Sequence, residues 1–472
     1  MSPGRRVRVA EVVRRRRTPR FDVVTVLALV IPLITIGALA LVRQPPVHDR
    51  THRPALTQLT GTTVVCPAPD RWSPKAGVAS ASGASGDVTV DSEGVRSSVP
   101  VSPGTVTPVQ GSGAVVIQGD DELAQGLLGV RYGTAPLTTL ACGVPTSAQW
   151  FAGVGSGPEH DSVIELVNPD SGPADADITL YGDHEFTRRK LHGITIPAHR
   201  TVRLDLGKIA PKRVLLSAQV AVTRGRLAVH VLDSRTDLVT HRSVREWLPP
   251  QTEPALELRM LGLPTGPGQR TLQLANPGDD VARAEVKIIT GDTTFAPSAL
   301  TTITIQPGST TSVRLTKVLA RALDDGAVGV QVTADAPVVA SVLTRRPADA
   351  AVTVPNTDIR SGAATLLPVV PAKAPAKAGG PVTATAYVSA DAAGVVTVQA
   401  YDASGQALPD QRVAVQQGHT ATIELPKGTA YVLMAPERTT IRASVVVEGD
   451  GASVIPMQEL LSQGLVPHIE PE

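Results

Sequence analysis

The sequence is poor in aromatic residues and in cysteine. Phe, Trp and Tyr make up 3% of its 472 residues, and Cys66 and Cys142 are the only cysteines. Sugar-binding surfaces usually present aromatic side chains to the sugar rings, so the composition disfavours a carbohydrate-binding or glycoside-cleaving surface. No histidine or second cysteine lies at metal-ligand spacing from either cysteine, so a metal site at these residues is disfavoured.

Sequence motifs that carry chemistry are missing as well. The chain has no nucleophile elbow, P-loop, H-E-x-x-H or EF-hand pattern. Two acidic turns, Gly119–Glu122 and Leu323–Gly326, offer oxygen ligands for Ca²⁺, but solvated turns between strands are the favoured interpretation. We therefore predict a protein that is not an enzyme, with no catalytic, cofactor-binding or metal-binding residue and no cofactor.

Three histidines of the second repeat are candidates for a metal site, because two or three converging imidazoles bind zinc. They are close in sequence, and hairpin pairing would bring the first near the second, but their spacing is irregular and ordinary surface histidines are favoured. They are His184, His192 and His199.

Basic residues are concentrated at the N-terminus. Eight of the 44 Lys and Arg residues are arginines within residues 1–20, and the other 36 lie after residue 20. Of the 43 acidic residues, 42 lie after residue 20. The chain beyond residue 20 is therefore net negative by about 6 charges. Nucleic-acid binding requires a basic face, so we predict no nucleic-acid partner.

An uncharged run from Val23 to Val42 follows the arginines and ends at Arg43. Twenty helical residues extend about 30 Å, the thickness of the bilayer hydrocarbon. The pattern predicts a single transmembrane helix with a cytoplasmic N-terminus and extracytoplasmic C-terminal domains, so the lipid bilayer is a partner through residues 23–42. A signal peptide cleaved near Ala40 is the alternative, and it too exports the rest of the chain.

Both cysteines follow this run. An even pair in an oxidising compartment predicts one structural disulfide between Cys66 and Cys142. In the chain-entropy model, a loop of this length contributes about 4 kcal/mol of stability.

Internal repeats organise the exported part. A short turn followed by an alternating strand recurs four times, and the two middle repeats also share an Asn-Pro motif, Asn168-Pro169 and Asn276-Pro277. The four turns are Ser102–Thr105, Ile196–His199, Gln306–Ser309 and Gln416–His419.

Period-2 alternation of apolar and polar residues between Gly- and Pro-rich turns is typical of antiparallel strands. The prediction is a mostly β chain: an N-terminal transmembrane helix followed by about four tandem Ig-like β-sandwich domains. Short helical turns are expected at Lys317–Leu323 and Met457–Gln463. The predicted divisions are a basic tail (1–22), the transmembrane helix (23–42), a stalk (43–59) and sandwiches 60–155, 156–249, 250–360 and 361–472.

Proline-containing joints, of which Pro368–Pro381 is the clearest, predict that the sandwiches form a rod with limited bending. Trp72, Trp150 and Trp247 lie near predicted domain edges, so core or interdomain packing is expected for them.

The basic tail, the single span and the tandem Asn-Pro and Pro-Gly-x-Thr repeats resemble the Ig-like modules of exported bacterial proteins. The Ala/Val/Arg-rich composition and single cysteine pair resemble an uncharacterised actinobacterial family of membrane-anchored exported proteins, a domain of unknown function. This resemblance implies a cell-envelope location and supplies no catalytic residue.

From these features we predict a non-catalytic, membrane-anchored extracytoplasmic scaffold or interaction protein of the bacterial cell envelope, with an envelope protein as its partner. The alternative is a cell-wall polysaccharide-binding protein or glycosyltransferase accessory, and the third hypothesis is an envelope hydrolase, whose paired carboxylates would come from distant strands.

Overall fold

The computed structural model describes residues 23–41, 55–183, 188–369 and 382–466. Strands account for 58% of the described residues and helices for 7%, which confirms the prediction of a mostly β protein with several sheets. The chain divides into two compact units, residues 1–55 with 466–472, and residues 56–465. The predicted tail, most of the stalk and of the linker after Pro368, and His184 lie outside the described residues.

The described helix of the smaller unit is α1 (Val23–Leu41), which contains Pro32. Its apolar composition follows the sequence pattern, and the Thr35 hydroxyl donates a hydrogen bond to the carbonyl of Ile31 at 2.7 Å. Among the described residues, no helix combines the length and apolar character that crossing a membrane requires.

The larger unit begins with β1 (Ala55–Gln58) and a first segment, residues 61–141, with two four-stranded sheets. Its strands are β2 (Gly61–Cys66), β3 (Lys75–Ser80), β4 (Gly86–Ser92), β5 (Val95–Val101), β6 (Thr107–Val109), β7 (Val115–Asp120), β8 (Leu127–Thr134) and β9 (Leu137–Ala141). The sheet orders are β2-β7-β4-β5 and β6-β3-β8-β9.

The second segment, residues 148–248, also has two sheets. Its elements are β10 (Ala148–Val154), β11 (Ser156–Gly157), β12 (His160–Val167), β13 (Ala174–Tyr181), β14 (Arg189–Ile196), β15 (Thr201–Asp205), α2 (Leu206–Ile209), β16 (Leu216–Arg224), β17 (Ala228–Thr236) and β18 (Ser243–Leu248). One sheet has the order β10-β16-β13-β14, and the other has β11-β12-β17-β18 with β15 beside β12. Thus β10, which precedes the predicted boundary at 155/156, pairs with a strand of the second segment.

In the third segment, residues 255–353, one long strand joins two sheet halves. The elements are β19 (Ala255–Leu261), β20 (Gln269–Asn276), β21 (Ala282–Thr290), β22 (Thr294–Phe295), β23 (Ile303–Ile305), β24 (Ser309–Arg314), α3 (Thr316–Asp324), β25 (Ala327–Arg346) and β26 (Asp349–Thr353). The first half of β25 pairs with β19 and β21, and its second half pairs with β20 and β26.

The fourth segment, residues 363–459, again has two sheets, ordered β30-β29-β32-β27-β35 and β31-β28-β33-β34. These strands are β27 (Ala363–Leu366), β28 (Thr383–Ala390), β29 (Gly394–Tyr401), β30 (Gln411–Val415), β31 (Thr420–Glu424), β32 (Tyr431–Glu437), β33 (Ile441–Gly449), β34 (Gly451–Pro456) and β35 (Gln458–Glu459). A last strand, β36 (Gln463–Val466), pairs with β1.

The two Asn-Pro motifs have the same local structure. The Asn168 amide nitrogen donates to the carbonyls of Gly172 and Ile196, and the Asn276 amide nitrogen donates to those of Asp280 and Ile305. Each amide therefore ties the turn after one strand to the end of a strand that does not pair with it, which explains why the motif recurs.

Of the two predicted helical turns, one is confirmed and one is wrong. Lys317–Leu323 lies within α3, whereas Met457–Gln463 contains β35 and the start of β36. The Glu459 carboxylate accepts hydrogen bonds from the amides of Arg360 and Ser361, so tertiary pairing prevails over local helix preference there.

Each segment encloses a hydrophobic core, and four further apolar seams join the segments in a closed cycle. Val65 and Val116 meet Val167 and Ala228 between the first and second segments, and the second–third seam contains Trp150 and Val339. The third–fourth seam contains Leu261 and Val446, and the fourth–first seam contains Tyr431 and Val130.

The predicted rod is therefore wrong, because the first and fourth segments contact each other. The residues of this last seam lie on outer sheet faces, which a rod would leave in water. Val106 also donates its backbone N–H to the carbonyl of Ala403 across the same seam at 3.4 Å. Burying these apolar faces favours closure over an extended arrangement.

Candidate functional site: a hub of four strands

Four strands, one late in each segment, meet at the centre of the cycle, and we call them the hub: β9, β18, β26 and β34. Both β9 and β26 contact β18 and β34. The hub is thus the one place in the described chain where residues from all four segments are gathered by neighbouring strands.

Hydrogen bonds connect the hub strands across the seams. The Leu137 amide donates to the Asp450 carbonyl at 3.0 Å, and the Ser453 hydroxyl donates to the Thr139 carbonyl at 3.1 Å. The Ala452 amide donates to Oδ2 of Asp349 at 2.7 Å. The last contact fixes a carboxyl group of the third segment against the backbone of the fourth.

Two carboxyl groups are buried at the hub, Glu246 on β18 and Asp349 on β26, with 4% and 6% of their surface exposed. Oε1 of Glu246 accepts from the amide of Trp247 at 3.0 Å, but its buried Oε2 has no hydrogen-bond partner. No ion pair among the described residues includes either carboxyl. A buried carboxylate without a cation is costly, so this arrangement favours the neutral acid.

The pKa values follow this environment. Burial raises the pKa of Glu246 well above its ordinary value, and the negative charge of Asp349 raises it further. Burial likewise raises the pKa of Asp349 to about 7, although the Ala452 amide and the charge of Arg346 act in the opposite direction.

Asp233 on β17 provides a contrasting buried acid. Its Oδ1 accepts from the Ser162 hydroxyl at 2.6 Å and lies 2.7 Å from Nε2 of His160, and its Oδ2 accepts from Nε of Arg235 at 2.9 Å. Burial alone would raise the pKa of Asp233, but Arg235, His160 and Ser162 outweigh it and lower the pKa to about 2.

Ser162, His160 and Asp233 are the residue types of a hydrolase triad, but their geometry differs from one. Both the serine and the histidine contact the aspartate, and Nδ1 of His160 lies 2.7 Å from the carbonyl of Val214. No histidine nitrogen is positioned to accept the serine proton, and all three side chains are buried. The cluster therefore fits a structural role.

The predicted disulfide between Cys66 and Cys142 is present. Of the three histidines for which ordinary surface positions are predicted, two are described, and they have different partners: His192 lies 3.0 Å from Asp177, whereas His199 faces Asp91 at 4.0 Å. His184 lies outside the described residues. In the described ranges, no group of three or more potential ligands is arranged to hold a metal ion.

Two tryptophans lie at seams, as predicted. Trp150 packs against Tyr181 with ring centroids 5.5 Å apart at the second–third seam. Nε1 of Trp247 donates to the Ser73 hydroxyl at 2.9 Å, which ties the second segment to the first.

A cavity lies between the first and fourth segments, with a volume of about 70 Å³. Its walls are largely apolar and include Leu127 and Leu366, but the buried hydroxyls of Thr62 and Thr365 face it without hydrogen-bond partners. Another cavity, of about 10 Å³, borders the hub at Thr139 and is close to the smallest that admits a single water.

Sequence reasoning did not identify Glu246 or Asp349. Glu246 occupies a charged position in the alternating strand Ser243–Leu248, and Asp349 begins a short strand after a turn, patterns that usually indicate solvent exposure.

Residues 124–426 match the model of a family of unknown function, DUF5719. The match covers well over half of the chain, so the chain belongs to this family. A comparison with the curated proteins finds no match. The matched span includes the whole second and third segments and therefore both buried hub carboxyls.

Proposed function

We propose that this protein is a non-catalytic, membrane-anchored scaffold on the outer side of the bacterial cell membrane. The observation that carries the proposal is the closed cycle of seams. Each segment is held by two neighbours, so the loops and free sheet edges of all four segments keep defined mutual positions while the cycle is closed. Such a body presents a constant arrangement of surfaces to an envelope protein partner.

The location is supported by two features. Eight arginines precede the apolar run Val23–Val42. This sequence pattern is the basis for the proposed membrane anchor, for its orientation and for the bilayer contact through residues 23–42. The Cys66–Cys142 disulfide supports an oxidising compartment for the larger unit.

We further propose that the larger unit consists of Ig-like domains. The paired sheets of the successive segments support four Ig-like sandwich domains, each with its own core. Membership of an actinobacterial branch of exported, membrane-anchored proteins is the corresponding family proposal.

The location is tested by comparing the full-length chain with a variant carrying Val30→Arg and Leu33→Arg in cells. Arginine at the centre of a span disfavours insertion by about 2.5–3.5 kcal/mol per residue. We expect the unaltered chain to stay with salt-washed membranes and its two cysteines to resist alkylation until reduced. The variant should leave the membrane fraction.

The matched control carries Val95→Arg and Val239→Arg, two apolar positions that are 73% and 90% exposed in the larger unit. It should behave as the unaltered chain does. Recovery of the unaltered chain in the cytosol with free thiols would contradict the proposed location.

Crosslinking in intact cells tests the scaffold role. Capture of an envelope protein by the unaltered chain supports this role, whereas capture of polysaccharide without protein favours the polysaccharide-binding alternative.

A further inference from the structure

Glu246 and Asp349 come from different segments and lie on the contacting hub strands β18 and β26. Each is buried, and neither has a cation within ion-pair distance in the described chain. If both were ionised, two negative charges that repel each other would be buried on contacting strands. The hub strands therefore pack together most stably when both carboxyl groups carry a proton, and at least one of them must be protonated.

The groups facing Glu246 make this conclusion firmer. Strand β9 has no titratable residue, and on its own strand β18 the guanidinium of Arg245 donates to Asp70 at 2.9 Å, in the first segment. The neighbouring strand β17 adds the negative charge of Asp233. The charged groups that act on Glu246 are thus two acids, Asp349 and Asp233, of which Asp233 is itself paired with Arg235.

The groups facing Asp349 are more balanced. Strand β34 has no titratable side chain, and the neighbouring Asp450 adds negative charge. Arg346 is the cation that acts on Asp349, but its Nη2 already donates to Oε1 of Glu448 at 2.8 Å. One backbone donor, the Ala452 amide, contacts Oδ2 of Asp349 across the seam.

We propose that the hub is a proton-operated clasp, in which the second, third and fourth segments close on the protonated carboxyl groups of Glu246 and Asp349 and loosen when these protons are lost. The inference rests on the hub geometry alone and does not depend on the scaffold role or the location. It assigns a conformational function to two residues in a part of the chain where sequence motifs indicate none.

The direction of the pH dependence follows from linkage. The pKa of Asp349 is about 7 in the closed hub and 3.8 ordinarily, so the closed form binds more protons between these values. Closure is therefore strongest below about pH 4 and weakens as the pH rises to about 7. Glu246, whose pKa is also raised by burial, changes closure with pH in the same direction.

The first measurement is hydrogen exchange of the Ala452 amide in the full-length chain, corrected for the intrinsic pH dependence of exchange. The contribution of Asp349 alone should increase the opening equilibrium by about 50-fold between pH 5 and pH 7. Asp349→Asn should remove most of this increase, and adding Glu246→Gln should abolish it. The matched control, Asp292→Asn, changes an acid that is 97% exposed and should keep the full pH dependence.

A second measurement does not require the variants to fold. Infrared spectra of the unaltered chain at pH 6 should contain the C=O stretch of a protonated, buried carboxyl group, and this band should disappear as the pH is raised. The absence of the band, or a pH dependence of exchange that is the same in the double variant and the unaltered chain, would overturn the clasp.

Discussion

Asp233 and Asp349 are both buried aspartates of the larger unit, with 3% and 6% of their surface exposed, yet their pKa values move in opposite directions. Asp233 contacts a guanidinium, an imidazole and a hydroxyl, all within its own segment. Asp349 faces another segment and contacts backbone amides. The comparison shows that the partners, rather than the depth of burial, decide whether a buried acid is charged.

The largest effect should come from removing the charged aspartate. Asp233→Ala leaves Arg235, His160 and Ser162 without their shared acceptor, and breaking a buried ion pair in this way costs about 3–5 kcal/mol. Urea denaturation at pH 7 measures the free energy of unfolding. Asp279→Ala, at a position 95% exposed, is the control and should change it by less than about 0.5 kcal/mol. An equal, small effect of both substitutions would contradict the structural role of Asp233.

Removing the cation should have an intermediate effect. Arg235→Gln takes away the main group that lowers the pKa of Asp233, and we expect a loss of about 2–3 kcal/mol at pH 7.

The Arg235→Gln substitution should also change how the free energy of unfolding falls at acidic pH, which we call the acid limb of the stability curve. A lowered pKa contributes stability above the ordinary value of 3.8 that is lost as the pH falls through about 2. In the Arg235→Gln variant this loss should begin at higher pH. An unchanged acid limb would show that Arg235 does not control the ionisation of Asp233.

Removing the hydroxyl partner should have the smallest effect of the three. Ser162→Ala deletes the 2.6 Å hydrogen bond to Asp233 and also the acceptor for the Gly155 amide at 3.0 Å. We expect a loss of about 1–2 kcal/mol in the free energy of unfolding, measured by thermal and urea denaturation. Ser162→Thr, which keeps the hydroxyl, is the matched comparison, and a loss as large as that of Asp233→Ala would overturn the proposed ranking.

Much of the local structure could be predicted from the sequence. Alternation identified the strands, since one face of each sheet is buried in its own segment, and the Asn-Pro motif marked equivalent turns after β12 and β20. The oxidising compartment inferred from the N-terminal pattern led to the Cys66–Cys142 pair. These features depend on contacts within one segment or on composition.

The seams and the hub could not be predicted in this way. A two-residue period tells which face of a strand is apolar but not which other segment covers the opposite face. Val130 and Tyr431 are far apart in sequence, and their contact depends on how two complete segments pack. Glu246 likewise occupies a polar position of its strand, and only the arrival of β26 makes that position part of the interior.

The pairing of β1 with β36 brings the entry and exit of the larger unit side by side. A closed body with adjacent ends is suited to circular permutation and to insertion as a cassette into a loop of another protein. The order of the four segments along the chain can therefore be changed without changing how the segments pack in space. New termini opened at the exposed hairpin tip at Val239, with the original ends joined, should preserve the same cycle of seams.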